Sequence, residues 1–236
     1  MTSEKLIAVL KTAQKEIATP QTYTMLEDTI AALRKEIAVK AAKSAGKQDL
    51  YRAMLAVIKS AEKQAPGKKA LHGAWFDHGK QYACNGYMLI ENSGTPLDLP
   101  ALPDDVEPMP VQPIMKARAE KEYPDVLTCP TAAELKSGIA EQKALAKYDG
   151  RKLRGVEYHL GGGHITNAEY LRIAVQATGS TTIRAENRIA GYNMEHETGY
   201  QVGELWLESE DGAVKVLVLP VRGLPSDDSI GFTYKR

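Results

Sequence analysis

The 236-residue sequence predicts an α+β protein, an antiparallel sheet backed by helices and preceded by an N-terminal helical hairpin. Three observations predict it. Apolar residues recur three and four apart through the first 63 positions, the spacing of one helix face. From Ala70 this period gives way to short β-prone runs bounded by turn residues, and helix and strand signals alternate again after Thr131.

Taken in order, Leu6, Leu10 and Ile17 mark a first amphipathic helix, and Leu26, Ile30, Leu33 and Ile37 a second. They are separated at Ala18-Thr19-Pro20, because proline cannot continue a ladder of i to i−4 hydrogen bonds. A third helix is expected from about Asp49 to Lys63, with Leu50, Met54, Val57, Ile58 and Ala61 inward and Pro66-Gly67 as its stop. The runs ALHGAWFD, QYAC and YMLIE, turning at His78-Gly79 and Asn85-Gly86, form a strand meander. Eight of the 12 prolines fall between Pro96 and Pro130, where no periodic pattern survives; an extended surface connector between two halves is expected there.

Beyond the connector, Thr131 caps a helix reaching about Tyr148, and LRGVEYHL reads as a strand ended by Gly161-Gly162-Gly163. A short helix follows Asn167, placing Leu171, Ala174 and Val175 on one face and ending before Gly179. Three strands close the pattern: TTIRAEN, GELWLES and AVKVLVLPV, the last an apolar run expected in mid-sheet until Pro220 ends it. The chain thus divides into a helical hairpin (1–45), a first half (46–95), the connector (96–130) and a second half (131–236).

Composition narrows the function. Thirty basic and 30 acidic residues cancel, so any contact with nucleic acid must be regional. Cys84 and Cys129, without paired spacing, exclude a disulfide framework and a zinc cluster and fit a reducing, cytoplasmic setting. Lys11 and Lys15 interrupt the first apolar stretch, so neither a signal peptide nor a membrane span is expected. Phosphate-loop, nucleophile-elbow and zinc-protease motifs are absent, and the expectation is a non-enzymatic protein with no catalytic residue, no metal and no cofactor. His72, His78, His159 and His164 read as turn and surface residues, and the glycine run as a tight turn rather than a phosphate cradle. Trp75, Phe76 and Trp206 read as core.

Charge is unevenly spread. Arg34 to Lys69 holds ten Lys/Arg against three acids. Within it, Arg52, Lys59 and Lys63 project within about 40° of one another at 100° per residue, opposite the apolar face. Two readings of this stripe stand: a solvated helix face, and a contact for a polyanion such as duplex DNA.

Two segments carry a family resemblance. GAWFDHGKQYACNGYMLI resembles the bacterial DNA polymerase III beta sliding clamp, whose domains have a strand, a D-G turn, a strand and an A-T-D-G-H-R-L run; here that run is Ala83-Cys84-Asn85-Gly86-Tyr87-Met88-Leu89. HITNAEYLRIAVQATGSTTIRAEN through LESEDGAVKVLVLPVR is similar to the end of a clamp chain, with Leu219-Pro220-Val221-Arg222 in place of the closing M-P-M-R. Tyr123-Pro124-Asp125 looks like the F-P-D-Y connector, and Arg154-Gly155-Val156 lies at a similar strand start. The likeness covers residues 48–222 in pieces; residues 1–45 have no counterpart.

The resemblance implies a DNA-clamp-like domain, antiparallel sheet backed by two helices, assembled from the third helix, the first meander, the Asn167 helix and the final strands; the alternative is a contracted clamp of two partial domains. It implies a processivity accessory of DNA replication or repair, of the kind encoded by mobile elements, touching the duplex backbone through Arg52, Lys59, Lys63 and Arg172. It also implies a groove for replication or repair partners at Gly86, Tyr87, Met88 and Leu89 with Leu219, Pro220, Val221 and Arg222. Asn85 departs from the family acid, Met88 from the family arginine, and 14 residues follow Arg222. Closing a ring would require oligomerisation, which the sequence does not specify. The alternative function is a protein-interaction module on the same scaffold without DNA.

Overall fold

Helix α1 (Ser3–Glu16) packs on helix α2 (Pro20–Ser44), which begins on Pro20, where proline's fixed φ and missing N–H suit a first turn. The computed structural model describes residues 3–16, 19–153, 155–186, 189–193, 198–201, 203–219 and 231–235. By contact density the chain divides into two units, Met1–Tyr51 and Arg52–Arg236, the boundary falling within helix α3 (Gln48–Gln64). In the first unit Ile30, Ala38 and Ala42 of α2 are buried.

The second unit is α+β, as expected. Its main sheet has seven antiparallel strands. They are, in spatial order, β1 (Trp75–Asp77), β2 (Lys80–Cys84), β3 (Met88–Asn92), β11 (Val214–Val218), β10 (Leu205–Glu208), β7 (Thr182–Ala185) and β4 (Asp125–Thr128). Strands β5 (Gly155–Gly161), β6 (His164–Asn167) and β12 (Gly231–Lys235) form a second sheet, and β8 (Ile189–Asn193) pairs with β9 (Thr198–Gln201).

The first meander and the last strands share one sheet. β3 pairs with β11 over five residues, Met88 opposite Val218 and Asn92 opposite Val214. The apolar run AVKVLV therefore lies in mid-sheet, flanked on both edges, which is where a strand can be apolar on both faces. Ile90, Val216, Val218, Leu205 and Leu207 are sealed from solvent, and helix α6 (Ala168–Thr178) packs over β3, β10 and β11. Each such side chain contributes about 1.5–3 kcal/mol of burial. Alternate residues on these strands join a different cluster: Trp75, Tyr82, Cys84, Leu89, Trp206 and Leu217 with Val111 and Met115.

Val111 and Met115 belong to the proline-rich segment, which is not a plain extended connector. It holds helix α4 (Gln112–Ala119) and the edge strand β4. Pro113 sits in the first turn of α4, the Gln112 N–H donates to the Asp77 carboxylate at 3.2 Å, and the two anchors, four residues apart, share a face. Tyr123 stacks on Trp206 just before β4 begins at Asp125.

Helix α5 (Ala132–Tyr148) starts at Thr131 with a full capping box: the Thr131 hydroxyl accepts from the Glu134 N–H while the Glu134 carboxylate accepts from the Thr131 N–H. α5 packs on α6 and β12. Helix α6 is capped by Asn167, whose side chain accepts from the Glu169 and Tyr170 N–H groups, and stops at Gly179 with φ of 69°. The glycine run turns β5 into β6, with φ of 89°, 59° and 81° at Gly161, Gly162 and Gly163, a conformation only glycine adopts cheaply three times in succession.

Some side chains differ from their sequence reading. Trp75 and Trp206 are core, but Phe76 is exposed, because β1 is an edge strand. His164 is buried and meets the Asp125 carboxylate at 2.9 Å, and His159 is buried against Thr233. Cys84 and Cys129 are free, buried thiols whose pKa is raised by burial. Among the described residues no helix is long and apolar enough to cross a membrane.

Candidate functional site

α3 is strongly two-faced, and that decides which residues reach solvent. Ala53, Met54, Val57, Ile58 and Ala61 are at most 1% exposed, so the helix rotation is fixed by the core. The opposite face presents Arg52, Lys59 and Lys63 to solvent, and none of the three makes an ion pair among the described residues.

α3 and α6 lie next to one another, joined by a hydrogen bond from the Tyr170 hydroxyl to Gln64 Oε1 at 3.0 Å. Between them opens a cleft of about 510 Å³ whose polar lining includes Lys59, Lys63, Lys143, Gln64, Asn167 and Tyr170. Lys143 comes from α5 and did not enter the sequence reading. Its signal was there: Lys136, Lys143 and Lys147 fall within about 40° of each other at helical spacing.

Arg172 is not an equal of the α3 cations. Its side chain is 21% exposed, its Nε lies 3.0 Å from the Glu169 carboxylate, and an Nη donates to Gln176. Glu169 also accepts from Lys143 at 2.8 Å. Burial works against the Glu169 carboxylate, yet the hydrogen bonds from Lys143 and Arg172 outweigh it and hold its pKa below the ordinary range. One carboxylate is thus shared by two cations, whereas Lys59 and Lys63 have no ion-pair partner among the described residues.

Of the residues expected to form a partner groove, Tyr87, Met88 and Leu89 lie beside the chain segment that ends at Leu219. Leu89 lies opposite Leu217 and Met88 opposite Val218, and the Leu219 N–H donates to the Tyr87 carbonyl at 2.8 Å. Met88 and Leu89 point into the interior, at 2% and 5% exposure, whereas Gly86, Tyr87 and Leu219 face solvent. Pro220, Val221 and Arg222 lie outside the described residues.

The turn carrying Tyr87 is held from beneath by Asn85, which is buried. Its Oδ1 accepts from the N–H groups of Tyr87 and Met88 at 2.9 and 2.8 Å, and its Nδ2 donates to Ser60 Oγ on α3 at 3.2 Å. Gln64 Nε2 donates to the same hydroxyl at 2.9 Å. Above this, the Tyr87 ring stacks on Tyr170, with centroids 6.0 Å apart and planes 16° off parallel. Among the described residues no group of three or more His, Cys, Asp or Glu side chains is placed to hold a metal.

No protein-family model and no curated protein matches the chain. Among solved structures, it is similar to a protein described as a DNA polymerase III beta subunit, from Eubacterium rectale ATCC 33656, at 9% identity and a TM-score of 0.42 over 74% of this chain. It is also similar to the DNA polymerase sliding clamp of Pseudomonas aeruginosa, at 12% identity and a TM-score of 0.40 over 72% of this chain. The chain spans 64% and 65% of the length of these two structures.

Proposed function

We propose that this chain is a non-enzymatic, sliding-clamp-like accessory of DNA replication or repair in the cytoplasm, which holds duplex DNA by its backbone and recruits a partner. One observation carries the reading. The two segments through which the sequence resembles a sliding clamp, Ala83–Leu89 and the stretch through strand β11, are neighbours in one sheet, and α3 beside them bears three exposed cations with no ion-pair partner among the described residues. Arg52, Lys59 and Lys63 would contact phosphates, so binding is independent of sequence and weakens with salt, with a log–log slope of about −2.7 for three contacts. Arg172, which shares the Glu169 carboxylate with Lys143, would act chiefly by positioning those two side chains.

The test is duplex binding by fluorescence anisotropy across a salt series. Arg52→Glu, Lys59→Glu and Lys63→Glu together should abolish it while leaving the melting temperature near that of the parent, since all three side chains lie on the exposed face. A parent protein that does not hold duplex at low salt rules the DNA reading out.

A second reading, partner capture without DNA, draws on the exposed side chains of Tyr87 (54%) and Leu219 (41%), which lie side by side across the β3–β11 end. Together with Gly86, and with Pro220, Val221 and Arg222 following in sequence, they form the proposed partner edge. Capture of the same partner by the triple charge-reversed variant would favour this reading.

A further inference from the structure

We propose that the Tyr87–Tyr170 ring pair and the lysines of the adjoining cleft form a seat for single-stranded DNA, with a base stacked on the solvent side of Tyr87. The seat shares Lys59 and Lys63 with the duplex reading and differs from it in the strandedness of the ligand.

Three features point to such a ligand. First, Tyr170 is common to both parts: it lines the cleft and stacks on Tyr87, so the aromatic surface and the two unpaired ammonium groups are contiguous. Alternating phosphates and flat bases match that alternation of cation and ring, and base-on-aromatic stacking tolerates any sequence. A duplex cannot use the ring, because both faces of its bases are already occupied by neighbouring pairs. Second, the platform is rigid. Hydrogen bonds run from the Tyr170 hydroxyl to Gln64, from Gln64 to Ser60, from Asn85 to Ser60, and from the Tyr87 N–H to Asn85. With the ring stack they close a circuit, so the order of the platform is in place before a ligand arrives. Third, Tyr87 leaves more than half of its surface in solvent although a tyrosine ring is a large apolar group, while its neighbours Met88 and Leu89 are buried.

The experiment uses the full chain, a labelled oligo(dT), and a labelled fully paired two-strand duplex of equal charge, both at low salt. Tyr87→Ala should weaken oligo(dT) binding about tenfold and leave duplex binding within twofold, and Tyr87→Phe should restore the parent affinity because only the ring is required. Lys59→Glu with Lys63→Glu should weaken oligo(dT) binding as well. The proposal is overturned if oligo(dT) is not bound, if Tyr87→Ala binds it like the parent, or if that variant loses oligo(dT) and duplex equally. It is overturned, too, if polyglutamate of matched charge displaces oligo(dT) as well as unlabelled oligo(dT) does, which would mark a plain anion surface. Should the parent ignore duplex yet bind oligo(dT) through Tyr87, the duplex reading falls and this one stands.

Discussion

At Asn85 one side chain does the work of a whole turn. Its carbonyl oxygen takes two backbone N–H groups, one of them on buried Met88, where water cannot substitute. Asn85→Ala should therefore lower stability by roughly 1–3 kcal/mol, the cost of stranding a buried donor, read as a fall in the urea midpoint with an unchanged m-value. Asn85→Asp should cost less, since a carboxylate keeps both acceptor positions and the Ser60 hydroxyl can rotate to donate to it. This explains why the resemblance survives the exchange of the family acid for an amide: the turn needs a short side chain with a two-fold acceptor, and either residue supplies one. The second departure, Met88, has a different physical content. A side chain 2% exposed cannot grip a partner, so of the four residues in that run only Gly86 and Tyr87 remain at the surface. Every residue of β3 is buried, so Met88 is covered whichever face it takes, and spacing alone does not show that both faces are covered.

Elements whose signals are local were legible, and those whose reasons are distant were not. The Thr131 capping box, the Asn167 cap, the Gly179 stop and the two-faced pattern of α3 can all be read from residues within a few positions of each other. α4 could not, because it is an eight-residue helix between prolines, too short to be stable by propensity, and its anchors are supplied from elsewhere in the chain. Those anchors include charge. Glu204, 6% exposed and far downstream of α4 in the chain, pairs with Arg118 near the end of α4 and with Lys121 just beyond it, and Lys121 also reaches Glu186 at 2.6 Å. Glu204→Gln removes the charge that two partly buried cations share. It should cost roughly 1–3 kcal/mol, less than a fully buried pair because Arg118 and Lys121 are about a third and a quarter exposed. The loss should be local: limited proteolysis is expected to cut within residues 104–121 sooner in the variant, while cleavage elsewhere keeps its parent rate.

For the molecule as a whole, the question is whether retention on DNA is topological or electrostatic. The described residues form one seven-stranded sheet, and a head-to-tail ring would have to be made from the edges of such units. The β1 edge is already blunted by its own chain: Ala74 bridges to Ala101, with the Ala74 N–H donating to the Pro100 carbonyl and the Leu102 N–H to the Ala74 carbonyl. That bridge occupies the edge at Ala74, just before β1 begins. One basic face without closure can bind duplex DNA only by phosphate contacts, whose lifetime is set by salt and not by the ends of the DNA. The expectation is therefore that the protein leaves a nicked circle and the same plasmid cut once at indistinguishable rates, measured as release after a jump to high salt. Native mass on a short duplex should correspond to one 25.8 kDa chain per binding site. Slower release from the circle, joined to a mass of several chains, would show that copies do close around DNA, and would move the contact from the β1 edge to a surface that the bridge leaves open.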